Sequence, residues 1–208
     1  MTPDEIQALF TRSDGSYRFA RWGRPVAPVV FGTDDATLGV VKGAAEAVAR
    51  LSGRTLAETD PELGSNLMMF FVSGWDELAD VPDLDRLVPD LDSLIPRLVS
   101  AEANQYRVFR FDAAGAIRAC FAFIRMDAHL AELPAETIAL GQVVQSALLW
   151  SDTAFAGTSP LARTEDGHTI LRPEIADVIR AAYDPVMPDM ADDPAHALRL
   201  FARLRAAG

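Results

Sequence analysis

A single cysteine, Cys120, among 208 residues excludes an intrachain disulfide and a cysteine-rich zinc site. Histidine is almost as scarce. His129, His168 and His196 lie tens of residues apart, and none has a second His or Cys at ligand spacing, so any metal site would need Asp or Glu brought in by the fold. Basic residues are also few: 19 Lys and Arg stand against 30 Asp and Glu, a formal net charge of −11 that repels nucleic-acid backbones and anionic lipid surfaces. The longest strongly apolar stretch, Leu67 to Val72, is far short of the roughly 18 residues of a spanning helix. Neither a nucleic-acid partner nor a membrane span is expected. The first ten residues hold no basic n-region and no apolar h-region, so with Met1 as the native start the expected compartment is the cytoplasm.

Half of the chain is hydrophobic and a quarter charged, the balance of an ordinary globular protein, and the length suits a single domain over 1–208. Thr2 as N-cap, Pro3 at the first helical position and acids in the first turn predict a helix at the start. Val26 to Phe31 is a β-branched run containing Pro28, which suits an edge strand. From Asp35 a helical pattern places Leu38, Val41, Ala45, Val48 and Leu51 on one face, with Gly53 as its stop. Asn66 to Ser73 reads as a strand buried on both faces. Residues 76–98 then change character: they are acidic, helically spaced and interrupted by Pro89 and Pro96, which predicts short helices in an insertion or cap. Tyr106 to Phe111 and Ile117 to Met126 form a hairpin around Asp112-Ala113-Ala114-Gly115. A buried helix follows over Pro134 to Trp150, then a polar link from Ser151 to Thr169, a helix from Pro173 to Tyr183, a turn at Pro185 to Pro188, and a last helix from Pro194 to Leu204. This order describes an α+β domain.

Two stretches carry a resemblance. One is Arg18-Phe19-Ala20-Arg21-Trp22 with Pro25 to Phe31, Arg50-Leu51-Ser52-Gly53-Arg54 and Asn66 to Val72. The other is Gly141-Gln142-Val143-Val144-Gln145-Ser146-Ala147-Leu148-Leu149-Trp150-Ser151-Asp152, followed by Leu171-Arg172-Pro173-Glu174 and Ala182-Tyr183-Asp184-Pro185. Together they resemble the bacterial DUF2927 family, which in turn resembles the metzincin metallopeptidases. The resemblance implies a zincin-like fold, with a small mixed sheet, an N-terminal helix packed on it, a central buried helix and a mostly helical C-terminal part. It also implies a cell-envelope or secreted setting. In metzincins a buried helix supplies two His at i and i+4 and a Glu general base, with a third His after a Gly turn, because i and i+4 share a helix face and reach one zinc. On that frame the His positions fall at Gly141, Gln145 and Ser151, the Glu position at Gln142 and the turn Gly at Leu148. DUF2927 members commonly keep a Glu-Glu pair on this helix, whereas this chain keeps Gln145 and the Ser151-Asp152 close without the acids.

The expectation is therefore a catalytically inactive, metallopeptidase-like domain with no catalytic residue, no metal and no cofactor, serving as a binding or structural module for an unknown protein or peptide partner. Its candidate cleft is Gly141, Gln142, Gln145, Ser151 and Asp152. Gln142 and Gln145 would either bond a ligand or satisfy nearby backbone carbonyls and the following loop. The alternative is a hydrolase of another class using Gln142, Ser151, Asp152 and His168, and a third reading gives Asp76 to Pro96 a partner to dock. Trp22 among Arg18, Arg21 and Arg24 is either an anion-binding strip or an anchored basic turn. Cys120, in an alternating strand, is expected to pack as a small hydrophobe, and Met187 to pack in the core.

Overall fold

The computed structural model describes residues 1–206. Its first helix, α1 (Pro3–Ala8), is set by a reciprocal cap: the Thr2 hydroxyl accepts the Glu5 N–H at 3.2 Å and the Glu5 carboxylate accepts the Thr2 N–H at 2.7 Å. A two-residue strand, β1 (Phe19–Ala20), precedes β2 (Pro28–Phe31), which tolerates Pro28 because it pairs on one side only. Asp34 caps α2 (Asp35–Leu51) by accepting the Thr37 N–H at 2.8 Å, and the chain leaves the helix through Gly53 at φ +67°. Val41, Ala45 and Val48 are buried as the periodicity predicts, but Leu38, in the first turn, is exposed. The strand β3 (Leu67–Val72) is buried at every residue.

After β3 come a 3₁₀ helix (Trp75–Asp80), α3 (Leu84–Leu87) and α4 (Leu91–Ser100). Pro89 separates α3 from α4 as expected. Pro96 does not end α4; it sits on the solvent side, where the helix tolerates the lost hydrogen bond. The hairpin consists of β4 (Gln105–Phe111) and β5 (Ile117–Arg125), closed through Gly115 at φ +84°. A single turn, α5 (Ala128–Ala131), leads into α6 (Ala135–Ala147). This central helix stops three residues short of Trp150, because Leu148 turns extended and bridges to Arg21. The polar link from Ser151 to Thr169 is not all loop, for it holds a small hairpin, β6 (Leu161–Arg163) with β7 (Thr169–Leu171). The chain closes with α7 (Pro173–Ala182), β8 (Met190–Ala191), which pairs antiparallel with β1, and α8 (His196–Ala206).

The main sheet has the order β2-β3-β5-β4, with β2, β3 and β5 parallel and β4 antiparallel at one edge. Strand alternation divides its side chains. Leu67, Met69, Phe71, Cys120, Ala122 and Ile124 join the cluster beneath α2 and α6, whereas Met68, Phe70, Phe121 and Phe123 join the one beneath α3 and α4. Residues 76–98 thus cover most of the second face of the sheet through Leu78, Leu84, Val88, Leu91 and Leu94, leaving Phe31 at the β2 edge exposed. The helix layer on the first face is α2 with α6. The N-terminal helix α1 does not serve as that layer and packs chiefly against α8. It is too short to cross the sheet, and Phe10 instead stacks on Trp150 at 5.4 Å and meets Phe19 edge-on at 5.2 Å.

Candidate cleft between β4 and α6

Because β4 alternates, Tyr106 and Val108 point toward α3 and α4, and Gln105, Arg107, Phe109 and Phe111 point toward α6. Gln142 and Gln145, three apart on α6, meet them. Arg107 donates through Nη1 to Gln145 Oε1 at 3.2 Å and through Nη2 to Gln142 Oε1, with a longer contact of 3.4 Å to Gln105 Oε1. Gln142 Nε2 donates to Gln105 Oε1 at 2.7 Å. The partners of the two glutamines are therefore on the edge strand, not in the backbone of their own neighbourhood. All the acceptors of Arg107 are neutral amide oxygens. Burial pushes its guanidinium down to about 10, still protonated at neutral pH, and its Nε–H has no partner among the described residues.

Gln105, Arg107 and Gln145 line a cavity of about 600 Å³ together with Phe109, Phe111, Trp150 and Phe155. Arg12, Ser151 and Asp152 line it too. One side of β4 pairs with no strand among the described residues. Asn104 accepts the Arg125 N–H at 2.8 Å, and alternation from that pair turns the backbone groups of Gln105, Arg107 and Phe109 away from β5. The cleft thus combines an open strand edge, a cavity with one aromatic and one polar wall, and a cation whose partners among the described residues are all neutral.

No family model, curated protein or solved structure matches the chain.

The other candidate positions do not join this network. A Cβ on Gly141 would meet Leu161 Cδ1 at 3.6 Å, so that position faces the β6–β7 hairpin. Ser151 donates its N–H to Leu9 O at 2.8 Å and places its hydroxyl 3.2 Å from Thr153 Oγ1. Asp152 accepts the Ser13 N–H at 3.0 Å and the Ser13 hydroxyl, which together hold its carboxyl below the usual range. It ties down the loop after α1. His168 is exposed in the β6–β7 turn, where its backbone bonds Thr164, and no hydrogen bond joins it to Ser151 or Asp152. The set expected for a hydrolase is not assembled. Nor does the donor set fit zinc: Gly141 offers no ligand, the Gln145 oxygen is taken by Arg107, and the Ser151 hydroxyl bonds its own loop. Among the described residues no group of three or more His, Cys, Asp or Glu gathers.

The arginines around Trp22 diverge and form no anion-binding strip. Arg18 lies over the Phe111 ring at 4.7 Å, and Arg24 reaches Glu62 at 3.1 Å and Asp60 at 3.4 Å. Arg21 is buried, donating to Asp189 Oδ1 at 2.7 Å, Ala182 O and Met187 O at 2.9 Å each, and Asp184 O at 3.3 Å. Trp22 is an anchor whose indole donates to Ser146 O at 2.8 Å. Cys120 is fully buried, and burial pushes its thiol up to about 11.

His196 is buried beside Tyr17, with Nδ1 at 2.8 Å from the phenol oxygen and Nε2 without a partner among the described residues. Burial holds its imidazole down to about 4, from an ordinary value of 6.5. The folded state therefore binds fewer protons than the unfolded one. Its contribution is complete above the unfolded value and is lost as pH falls from about 6.5 toward 4. The expected loss is about 3 kcal/mol. Urea midpoints measured at pH 7 and pH 4 should show a component of the acid loss that His196→Gln removes; identical pH profiles for the two proteins would contradict the assignment.

Helical spacing points to Gln142 and Gln145 but gives no sign of Gln105 and Arg107. The signal for those two is the alternation Gln105, Arg107, Phe109, Phe111, which puts two polar groups on a sheet face otherwise made of apolar residues.

Proposed function

We propose that the chain is a non-hydrolysing, zincin-like binding module of the kind the DUF2927 resemblance suggests, which takes an extended peptide into the cleft between the free edge of β4 and α6. The observation that carries this reading is the open edge of an antiparallel strand beside a cavity of about 600 Å³. A strand edge with unpaired N–H and C=O groups is a template for one further strand, and side-chain pockets beside it supply selectivity. The mixed sheet, the buried central helix and the lack of imidazole and carboxylate at Gly141, Gln142, Gln145 and Ser151 support the zincin-like, inactive part of the reading.

The test is an NMR titration with a pool of N-acetylated hexapeptides. The amides of Gln105, Arg107 and Phe109 should shift and gain protection from exchange, and peptides N-methylated at alternate residues should lose the effect. Shifts that map elsewhere, or that ignore N-methylation, would sink the peptide reading. The pool should also stay intact with added zinc; cleavage that a chelator stops would remove the non-hydrolysing part.

A further inference from the structure

We propose that the cleft recognises a carboxylate, seated at Arg107 and carried by a ligand with an apolar group that packs on the aromatic wall of the neighbouring cavity. This deepens the peptide reading, in which the carrier is the free C-terminus of the bound chain, and rests on it only for that carrier.

A guanidinium has five N–H groups, and Gln145, Gln142 and Gln105 accept three of those of Arg107. The cation also fixes how these amides are turned, since only their oxygens can accept from it. Gln142 spends its NH₂ on Gln105, but the NH₂ groups of Gln105 and Gln145 donate to no protein acceptor among the described residues. The polar wall made by Gln105, Arg107 and Gln145 is thus rich in donors and poor in free acceptors. The ligand that complements it is an anion with several lone pairs, and a planar carboxylate suits a guanidinium better than any neutral group does.

Charge points the same way. The chain carries −11 overall, yet among the described residues no carboxylate is a partner of Arg107. The one acid lining the cavity among the described residues, Asp152, already accepts two hydrogen bonds from Ser13, and a second cation, Arg12, lines the same space. Phe109, Phe111 and Trp150 supply low-polarity walls, against which the attraction of Arg107 for an anion is stronger than in water. They also define the rest of the ligand: an aromatic or branched apolar group beside the carboxylate.

The probes are 3-phenylpropionate and its neutral counterpart 3-phenylpropionamide, followed by calorimetry and by the side-chain resonances of Arg107 and Gln145. The carboxylate should shift both resonances and bind about tenfold or more tighter than the amide, the worth of one charge-assisted hydrogen bond. Arg107→Met should abolish that preference. Gln145→Glu should abolish it as well while keeping or raising the melting temperature, because it gives Arg107 a carboxylate from within; this variant keeps the test sharp if Arg107→Met fails to fold. Equal binding of the two probes, or a preference that survives Gln145→Glu, would overturn the proposal. The hexapeptide pool with free and with amidated C-termini separates the two readings. Binding at β4 that is indifferent to the terminus keeps the peptide reading and rejects carboxylate capture. A preference for 3-phenylpropionate with no peptide bound keeps the carboxylate site and assigns it a small molecule.

Discussion

Replacing Arg21 with Met is expected to lower the unfolding free energy by about 3–5 kcal/mol, read as a fall in the urea midpoint at unchanged slope. The side chain is only 9% exposed, and its head group donates to three backbone carbonyls, those of Ala182, Asp184 and Met187, besides the Asp189 carboxylate. Ala182 is the last residue of α7, so the cation also sits where the helix dipole favours positive charge. Met fills a similar volume and donates nothing, leaving the Ala182 and Met187 carbonyls with no protein donor among the described residues, while Asp184 O keeps the Met187 N–H at 2.9 Å. The Asp189 side chain is about half exposed and contributes the smaller share. Arg21→Lys should recover only a fraction, because one ammonium cannot reach acceptors spread along residues 182–189 in the way a planar fork does. A midpoint within error of the parent would show that the carbonyls find other donors.

Gly32→Ala is expected to cost about 3 kcal/mol or more, and to do so without removing any contact. Gly32 follows β2 at φ +78°, a conformation that disfavours every residue with a side chain. Its Cβ would also fall 2.0 Å from the carbonyl oxygen of Phe71. That oxygen belongs to the backbone of the central strand β3 and has no rotamer by which to withdraw, so the end of β2 must move. Gly53 provides the control, since it too has positive φ but nothing lies within 4 Å of where a Cβ would stand. Gly53→Ala should therefore cost only the backbone term, about 1–2 kcal/mol. Equal melting temperatures for the two variants would show that Phe71 gives way to the added methyl.

What is legible in the sequence has a period. The alternation and turn residues around Asp112 and Gly115 mark the hairpin, and the spacing of Val41, Ala45 and Val48 marks α2. What is illegible depends on the identity of distant neighbours. The three-residue strands β6 and β7 are too short for any pattern, and the place of α1 escapes the sequence because the aromatic cluster of Phe10, Phe19 and Trp150 gathers residues about 140 positions apart. Within the site, the face shared by Gln142 and Gln145 follows from helical spacing, but nothing on α6 names the residue opposite. That Arg107 meets Gln142 depends on the register of β4 across β5 and on how α6 crosses the sheet, neither of which a single chain segment encodes. Arg21 and Trp22 stand out as chemistry-bearing residue types, yet their partners are mostly main-chain carbonyls, which sequence never distinguishes.

The grip of Arg21 on residues 182–189, together with the pairing of Phe19 with Ala191, also sets an order of assembly. Residues 18–22 leave the ribosome about 160 residues ahead of the groups at 182–191 that complete them. In that interval the Arg21 guanidinium waits, solvated, while the β4–β5 hairpin closes over a short turn. The local hairpin gains its contacts at small loop-closure cost, whereas the seam between β1 and β8 closes a loop of about 170 residues. The chain through residue 191 must therefore be made before this seam can be locked, and a variant lacking residues 183–206 would keep a sheet with its 18–22 segment unmoored.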